Sequence, residues 1–221
     1  MLWSKAIGAV GTLGGEVEFV TSDFDFSTTA SGSVNVNTGD LVLVLSQNGR
    51  DALAAPTNTT STLINESGAG VRLRVDYTVA ATTGTFASSC NGGSATPDSS
   101  FFAIIVFRRA AELTADDIGT YGSDATSVIF KPSNVASGFS NGGVMLAYAA
   151  VDNPEYLTES PFLNSESFIE IIAPLGVSAG GGGDMGVSYY LCDGNEPTTD
   201  FTSPMSASES YITVLISIKP A

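Results

Sequence analysis

The chain contains no histidine, and that absence narrows its chemistry at once. Without an imidazole there is no Ser–His or Cys–His pair, no histidine zinc site and no general base poised near neutrality. Basic side chains are also scarce: eight stand against 23 acidic ones, for a formal charge of −15. Lys5, Arg50, Arg72, Arg74, Arg108, Arg109, Lys131 and Lys219 are scattered along the chain. No basic cluster offers itself to nucleic acid, and no polybasic run to an anionic membrane. No stretch approaches the ~20 apolar residues of a spanning helix. Charged residues make up only 14% of the total, against ~25% in an average domain.

The two cysteines, Cys90 and Cys192, lie far apart and form no Cys-x-x-Cys pair, so neither zinc nor thioredoxin-type chemistry is indicated. Both sit beside Gly, Asn or Asp residues, and the sequence does not decide between a bridge joining two loops and two ordinary thiols.

What is present is a β-strand vocabulary. Short β-branched runs alternate with clusters of Gly, Ser, Thr, Asn, Asp and Pro. Strands are predicted at Glu16–Val20, Ser33–Val36, Leu41–Leu45, Val71–Val79, Phe101–Phe107, Ser127–Phe130, Gly143–Val151, Ser167–Ile172, Met185–Leu191 and Ser210–Lys219. The continuous apolar run Leu41-Val42-Leu43-Val44-Leu45 fits a strand covered on both faces. Val71 to Val79 alternates cleanly, with Arg72, Arg74, Asp76 and Thr78 on the polar face, where the arginines would neutralise nearby carboxylates.

Thr114-Ala115-Asp116-Asp117 suits a single capped helical turn, and no longer helix is expected. Residues 51–68 and 193–208 read as long polar loops. The expected fold is all-β: an antiparallel two-sheet sandwich, jelly-roll-like, of about nine or ten strands. It forms one domain over residues 16–221, preceded by an N-terminal arm, residues 1–15.

That arm has one lysine and small apolar residues, but glycines interrupt it and no clean cleavage site follows. It is read as a docking arm rather than a signal peptide, with Leu2, Trp3, Ile7 and Val10 as its assembly contacts.

Candidate chemistry is sparse. Asp23-Phe24-Asp25 places two carboxylates on one face, and Asp116-Asp117, Asp152-Asn153-Pro154-Glu155 and Asp193-Gly194-Asn195-Glu196 gather oxygens in turns. Such groups suit a Ca²⁺ ion or a glycosidase pair; equally, Asp and Asn cap turns by bonding their own backbone. None has the EF-hand register. No cofactor is required, and Ca²⁺ is the one ion these turns admit. No Gly-x-Ser-x-Gly elbow occurs, and Gly180–Gly183 lacks the Lys-Ser/Thr of a phosphate loop. Among the aromatics, most tyrosines fall within strands, where packing explains them. Tyr121 and Tyr156, beside acids in expected loops, are the candidate sugar-binding residues.

Four segments occur in a telling order: Gly39-Asp40-Leu41-Val42-Leu43-Val44, then Ser100 to Arg108, then Gly142 to Asp152, then Ser210 to Pro220. This set resembles the β-sandwich domains of tailed-bacteriophage virion proteins, in which a Gly-Asp-Leu strand, an apolar-Phe-Arg strand and a terminal Ile-x-Ile-Lys strand recur. The resemblance covers residues 33–220. A Pro-x-Gly-Trp turn common in such domains is replaced here by Ala55-Pro56-Thr57-Asn58.

The resemblance implies a non-enzymatic virion component: a capsid decoration or head fibre, or a tail appendage. Such a component would be exposed on the particle and would contact other virion proteins and copies of itself, with a trimer as the expected assembly. It implies no catalytic residues, no nucleic acid partner and no membrane. The alternative is a carbohydrate- or receptor-binding module at a fibre tip, with a host surface glycan as ligand.

Overall fold

Strand β3, Leu41–Asn48, is buried along all eight of its residues, and so is β10, Val144–Val151. A strand can be apolar on both faces only if both faces are covered. The architecture supplies that cover. The structure, a computed structural model, describes residues 15–48, 53–67, 71–91, 100–121, 126–130, 140–151, 168–173, 184–193 and 203–221. Within them are thirteen strands and one 3-10 turn, Ala115–Asp117.

The strands are β1 (Glu18–Ser27), β2 (Thr29–Val36), β3, β4 (Ser61–Ser67), β5 (Arg72–Val79), β6 (Gly84–Asn91), β7 (Ser100–Arg108), β8 (Ile118–Tyr121), β9 (Thr126–Phe130), β10, β11 (Ile169–Ile172), β12 (Asp184–Leu191) and β13 (Ser203–Ile218). The first sheet runs β1-β7-β3-β5-β4. The second runs β11-β12-β10-β13-β8, with β9 also on β13. A separate ribbon pairs β2 with β6. Every pairing is antiparallel. Each large sheet is drawn from its own half of the chain.

The fold is therefore an all-β antiparallel two-sheet sandwich, as the strand pattern predicts. Its main core joins Leu41, Leu43, Leu45, Leu73, Phe101, Ile105 and Phe107 of the first sheet to Val144, Leu146, Tyr148, Val187, Ile212, Val214 and Ile216 of the second. Each fully buried Leu, Ile or Phe contributes about 1.5–3 kcal/mol.

The other face of the first sheet, Val42, Val44, Phe102, Ile104 and Val106, packs under the ribbon residues Ala30, Val34, Val36 and Cys90. The outer face of the second sheet buries Met145, Ala147, Ala149, Val151, Tyr211 and Leu215 with Phe168 and Cys192. This layering explains why β3, β7 and β10 read as continuous apolar runs rather than alternations.

Thirteen strands exceed the nine or ten expected. The additions are β4, β6 and β8. β4 lies where residues 51–68 were expected to form a loop, and β13 begins at Ser203, inside the expected loop 193–208. The predicted helical turn is the 3-10 turn: Asp117 Oδ2 accepts the Thr114 N–H at 2.8 Å and the Thr114 hydroxyl at 2.8 Å. Cys90 and Cys192 are buried thiols in different clusters, and no disulfide joins them. No helix among the described residues is long and apolar enough to cross a membrane.

Candidate functional site

Asp23 and Asp25 do share a face, and their neighbours explain what they do. After a bulge at Phe19/Thr21, β1 turns Phe26 toward the sandwich core and Asp23 and Asp25 toward the ribbon. Oδ1 of Asp23 accepts the N–H of Phe24 at 3.0 Å, and its Oδ2 accepts the N–H of Ser33 on β2 at 2.8 Å. Asp25 repeats the arrangement: Oδ1 accepts the Phe26 N–H at 2.8 Å, and Oδ2 accepts the Ser31 N–H at 3.0 Å and the Ser27 hydroxyl at 3.1 Å. Each carboxylate thus bridges β1, an outermost strand of the first sheet, to the edge of β2 not taken by β6.

Gly32 makes this approach possible. A Cβ there would stand 3.0 Å from Asp23 Oδ2 and 3.4 Å from Ile104 Cδ1.

The far edge of the ribbon is closed differently. Asn58, at φ 64°, donates from Nδ2 to the Ala87 carbonyl at 2.8 Å. Thr57 donates its N–H to the Ser89 carbonyl at 3.0 Å, and its Oγ1 accepts the Ser89 N–H at 3.0 Å. Ser88 Oγ donates to the Thr57 carbonyl at 2.6 Å. Between the two closed edges runs an open trough of about 550 Å³, lined by Asp23, Ser31, Gly32, Ser33, Thr57, Asn58, Ala87, Ser88 and Ser89. Among the described residues its lining is hydroxyl, amide and backbone, with one carboxylate. Such a lining suits a neutral polar ligand.

Four further acids, Asp40, Asp76, Asp117 and Glu18, are engaged in the architecture. Arg108 holds Asp40 through two bonds, Nε to Oδ1 at 2.9 Å and Nη2 to Oδ2 at 3.0 Å, and Asp40 Oδ2 also accepts the Asn37 N–H at 2.7 Å. Burial alone would push the Asp40 carboxyl up. The Arg108 hydrogen bonds, the Asn37 N–H and the arginine charge outweigh it and leave Asp40 below its ordinary value. The same pairing raises Arg108. Arg74 lies on Asp76 of its own strand at 2.6 Å and on Thr62 Oγ1 of β4 at 2.7 Å, which bears out the expected neutralising role of that arginine. Lys219 pairs with Asp117 at 2.5 Å, and Arg109 with Glu18 at 3.0 Å across the surface. Among the described residues no group of three or more His, Cys, Asp or Glu is arranged to hold a metal ion.

The aromatic candidates divide. Tyr77, Tyr148 and Tyr211 are core residues, as strand placement suggests. Tyr77 donates to the Leu113 carbonyl at 2.9 Å, whereas the Tyr148 hydroxyl, fully buried, has no hydrogen-bond partner among the described residues. Burial raises the Tyr148 hydroxyl well above its ordinary value. Tyr189 stacks on Phe19 at 5.5 Å, and the Tyr190 ring lies tilted against Phe168 at 5.6 Å.

Tyr121 is the last residue of β8, its position opposite Thr213 in the ladder, and so is not in the expected loop. Tyr156, the Asp152–Glu155 turn and the arm residues Leu2, Trp3, Ile7 and Val10 lie outside the described residues. The trough residues Ser31, Ser33, Thr57 and Asn58 escaped sequence reading. They belong to Ser/Thr/Asn stretches whose role is set by which strand edge they meet.

No family model, no curated protein and no solved structure matches the chain.

Proposed function

We propose that the chain is a non-enzymatic structural component of a bacteriophage particle, a capsid decoration, head fibre or tail appendage. It is exposed on the particle surface and assembled with other virion proteins and copies of itself. The observation that carries this reading is where the four motif segments fall. They form β3 with β7, and β10 with β13, the neighbouring central strands of the two facing sheets. Their polar residues hold the frame together: Asp40 of the Gly-Asp-Leu strand is gripped by Arg108 of the apolar-Phe-Arg strand, and Lys219 of the terminal strand holds Asp117. Asp23, Asp25, Asp40, Asp76 and Asp117 are all bound by backbone N–H groups, hydroxyls or cations. This supports a scaffold role. A surface of net charge −15 also repels nucleic acid.

The test is gold-labelled electron microscopy of intact particles with an antibody raised to the recombinant chain. Label on the head supports decoration or head fibre, and label on the tail supports an appendage. Particles that carry no label overturn the proposal.

A second reading, a carbohydrate- or receptor-binding module at a fibre tip, is favoured by the polar trough over the ribbon. Its hydroxyl and amide lining matches neutral sugar hydroxyls, although no aromatic platform is among the lining residues. Binding on a glycan array that is lost in Asn58→Ala supports it; no binding to any glycan counts against it.

A further inference from the structure

We propose that the paired carboxylates of Asp23 and Asp25 form an acid-sensitive latch: ionised, they seal the edges of β1 and β2 together, and protonated, they let the β2 edge come away from β1 while the two-sheet core stays closed.

The geometry makes ionisation matter. Both oxygens of each carboxylate accept, one from β1 and one from β2. The ionised form is acceptor-only, with full strength at both oxygens. A proton turns one oxygen into an O–H donor and a much weaker acceptor, so one of the two strands is held less tightly at each aspartate. Charge-assisted bonds are about twice as strong as neutral ones, so the bond that survives is also weakened.

The charged surroundings leave the latch to itself. On β1 the other acid is Glu18, at the far end and paired with Arg109. β2 carries no ionisable side chain, and β6 carries only the Cys90 thiol. On β7 the one charged residue is Arg108, at the strand end and committed to Asp40. The described residues 53–60 are uncharged. On β5, Arg74 is committed to Asp76. Among the described residues no cation pairs with Asp23 or Asp25. The charge nearest each along β1 is the other, two residues away on the same face, at about 6.6 Å by strand rise.

The core does not depend on this bridge. The ribbon stays seated through Ala30, Val34 and Val36 on Val42, Val44 and Ile104, and β1 stays in register with β7. Opening is thus confined to one edge. It uncovers the N–H groups of Ser31 and Ser33, a row to which another extended strand can pair.

Residue-resolved amide hydrogen exchange on the full chain tests this, with rates corrected for intrinsic exchange. Between about pH 6 and about pH 3, protection at Ser31, Ser33, Phe24 and Phe26 is expected to fall about tenfold or more. Val44 and Ile105 should keep theirs. The double variant Asp23→Asn/Asp25→Asn, which has one acceptor oxygen per side chain, should show low protection at those four amides at both pH values. Should that variant not fold, the wild-type profile decides alone. Unchanged protection at the four amides down to about pH 3, or a loss shared equally with Val44 and Ile105, overturns the latch.

Discussion

Arg108 and Asp40 meet across 68 residues of chain, with Nε 2.9 Å from Oδ1 and Nη2 3.0 Å from Oδ2. Asp40 is 1% exposed and sits in the turn where Gly39, at φ +87°, starts β3; Arg108 ends β7, the neighbouring strand. The pair ties the turn before one central strand to the end of another. Arg108→Ala leaves a buried carboxylate held only by the Asn37 N–H. The expected destabilisation is about 2 kcal/mol, below the ~3–5 of a fully buried pair because Arg108 still reaches water. Denaturant unfolding checks it, and a change within experimental error contradicts it.

The same pair predicts a pH dependence. Asp40 lies below its ordinary value of 3.8 when folded. A depressed carboxyl stabilises the fold above the unfolded value, and that contribution is lost as pH falls through the folded value. The wild-type melting temperature should therefore drop below about pH 4, and Arg108→Ala should flatten the part of the drop due to Asp40. Parallel pH profiles for the two proteins would count against this assignment.

Gly32 is small because Asp23 must reach past it. Gly32→Ala sets a Cβ 3.0 Å from Asp23 Oδ2. Crowding should outweigh the entropy gained by losing a glycine, for a net cost of about 1 kcal/mol. The latch amides of Ser33 and Phe24 should lose protection in the same variant. A more stable Gly32→Ala with intact protection contradicts the close approach.

Two tyrosines should respond in opposite directions to the loss of one oxygen. Tyr148→Phe removes a buried hydroxyl with no partner among the described residues and should stabilise the protein by about 1 kcal/mol. Tyr77→Phe removes the bond to the Leu113 carbonyl and should cost about 1 kcal/mol. Thermal unfolding of both variants decides, and a shared sign sinks the contrast.

Cys90 is 3% exposed, with its thiol donated to the Ala54 carbonyl at 3.3 Å. Burial pushes the thiol up, and the Ser46 hydroxyl and Arg74 charge only partly oppose that. Cys192 is 6% exposed. Neither should react with a thiol reagent at neutral pH until the protein unfolds, when both should react. Rapid labelling of the native chain at Cys90 contradicts the buried assignment.

Strands β3, β5, β7, β10 and β13 were legible because their side chains carry the core, and a continuous apolar run announced cover on both faces. Strands β4 and β6 were not. Ser61-Thr62-Leu63-Ile64-Asn65-Glu66-Ser67 and Gly84-Thr85-Phe86-Ala87-Ser88-Ser89-Cys90-Asn91 set only Leu63, Ile64, Phe86 and Cys90 against the core among polar and small residues, and their backbone ladders leave no trace in sequence. Asp23 and Asp25 were correctly placed on one face. Their partners are the N–H groups of Ser31 and Ser33, and a backbone N–H looks the same in every residue but proline. The Asp40–Arg108 pair was hidden by its separation, since both residues read only as ends of apolar runs. Tyr121 reads as a loop residue because Ile118-Gly119-Thr120-Tyr121 is too short to show a period.

The virion assignment is tested most directly by mass spectrometry of gradient-purified phage particles. The chain should co-purify at a fixed ratio to the major capsid protein and keep that ratio through a high-salt wash. Its presence only in the soluble fraction, with none in the particles, would contradict a structural role in the virion.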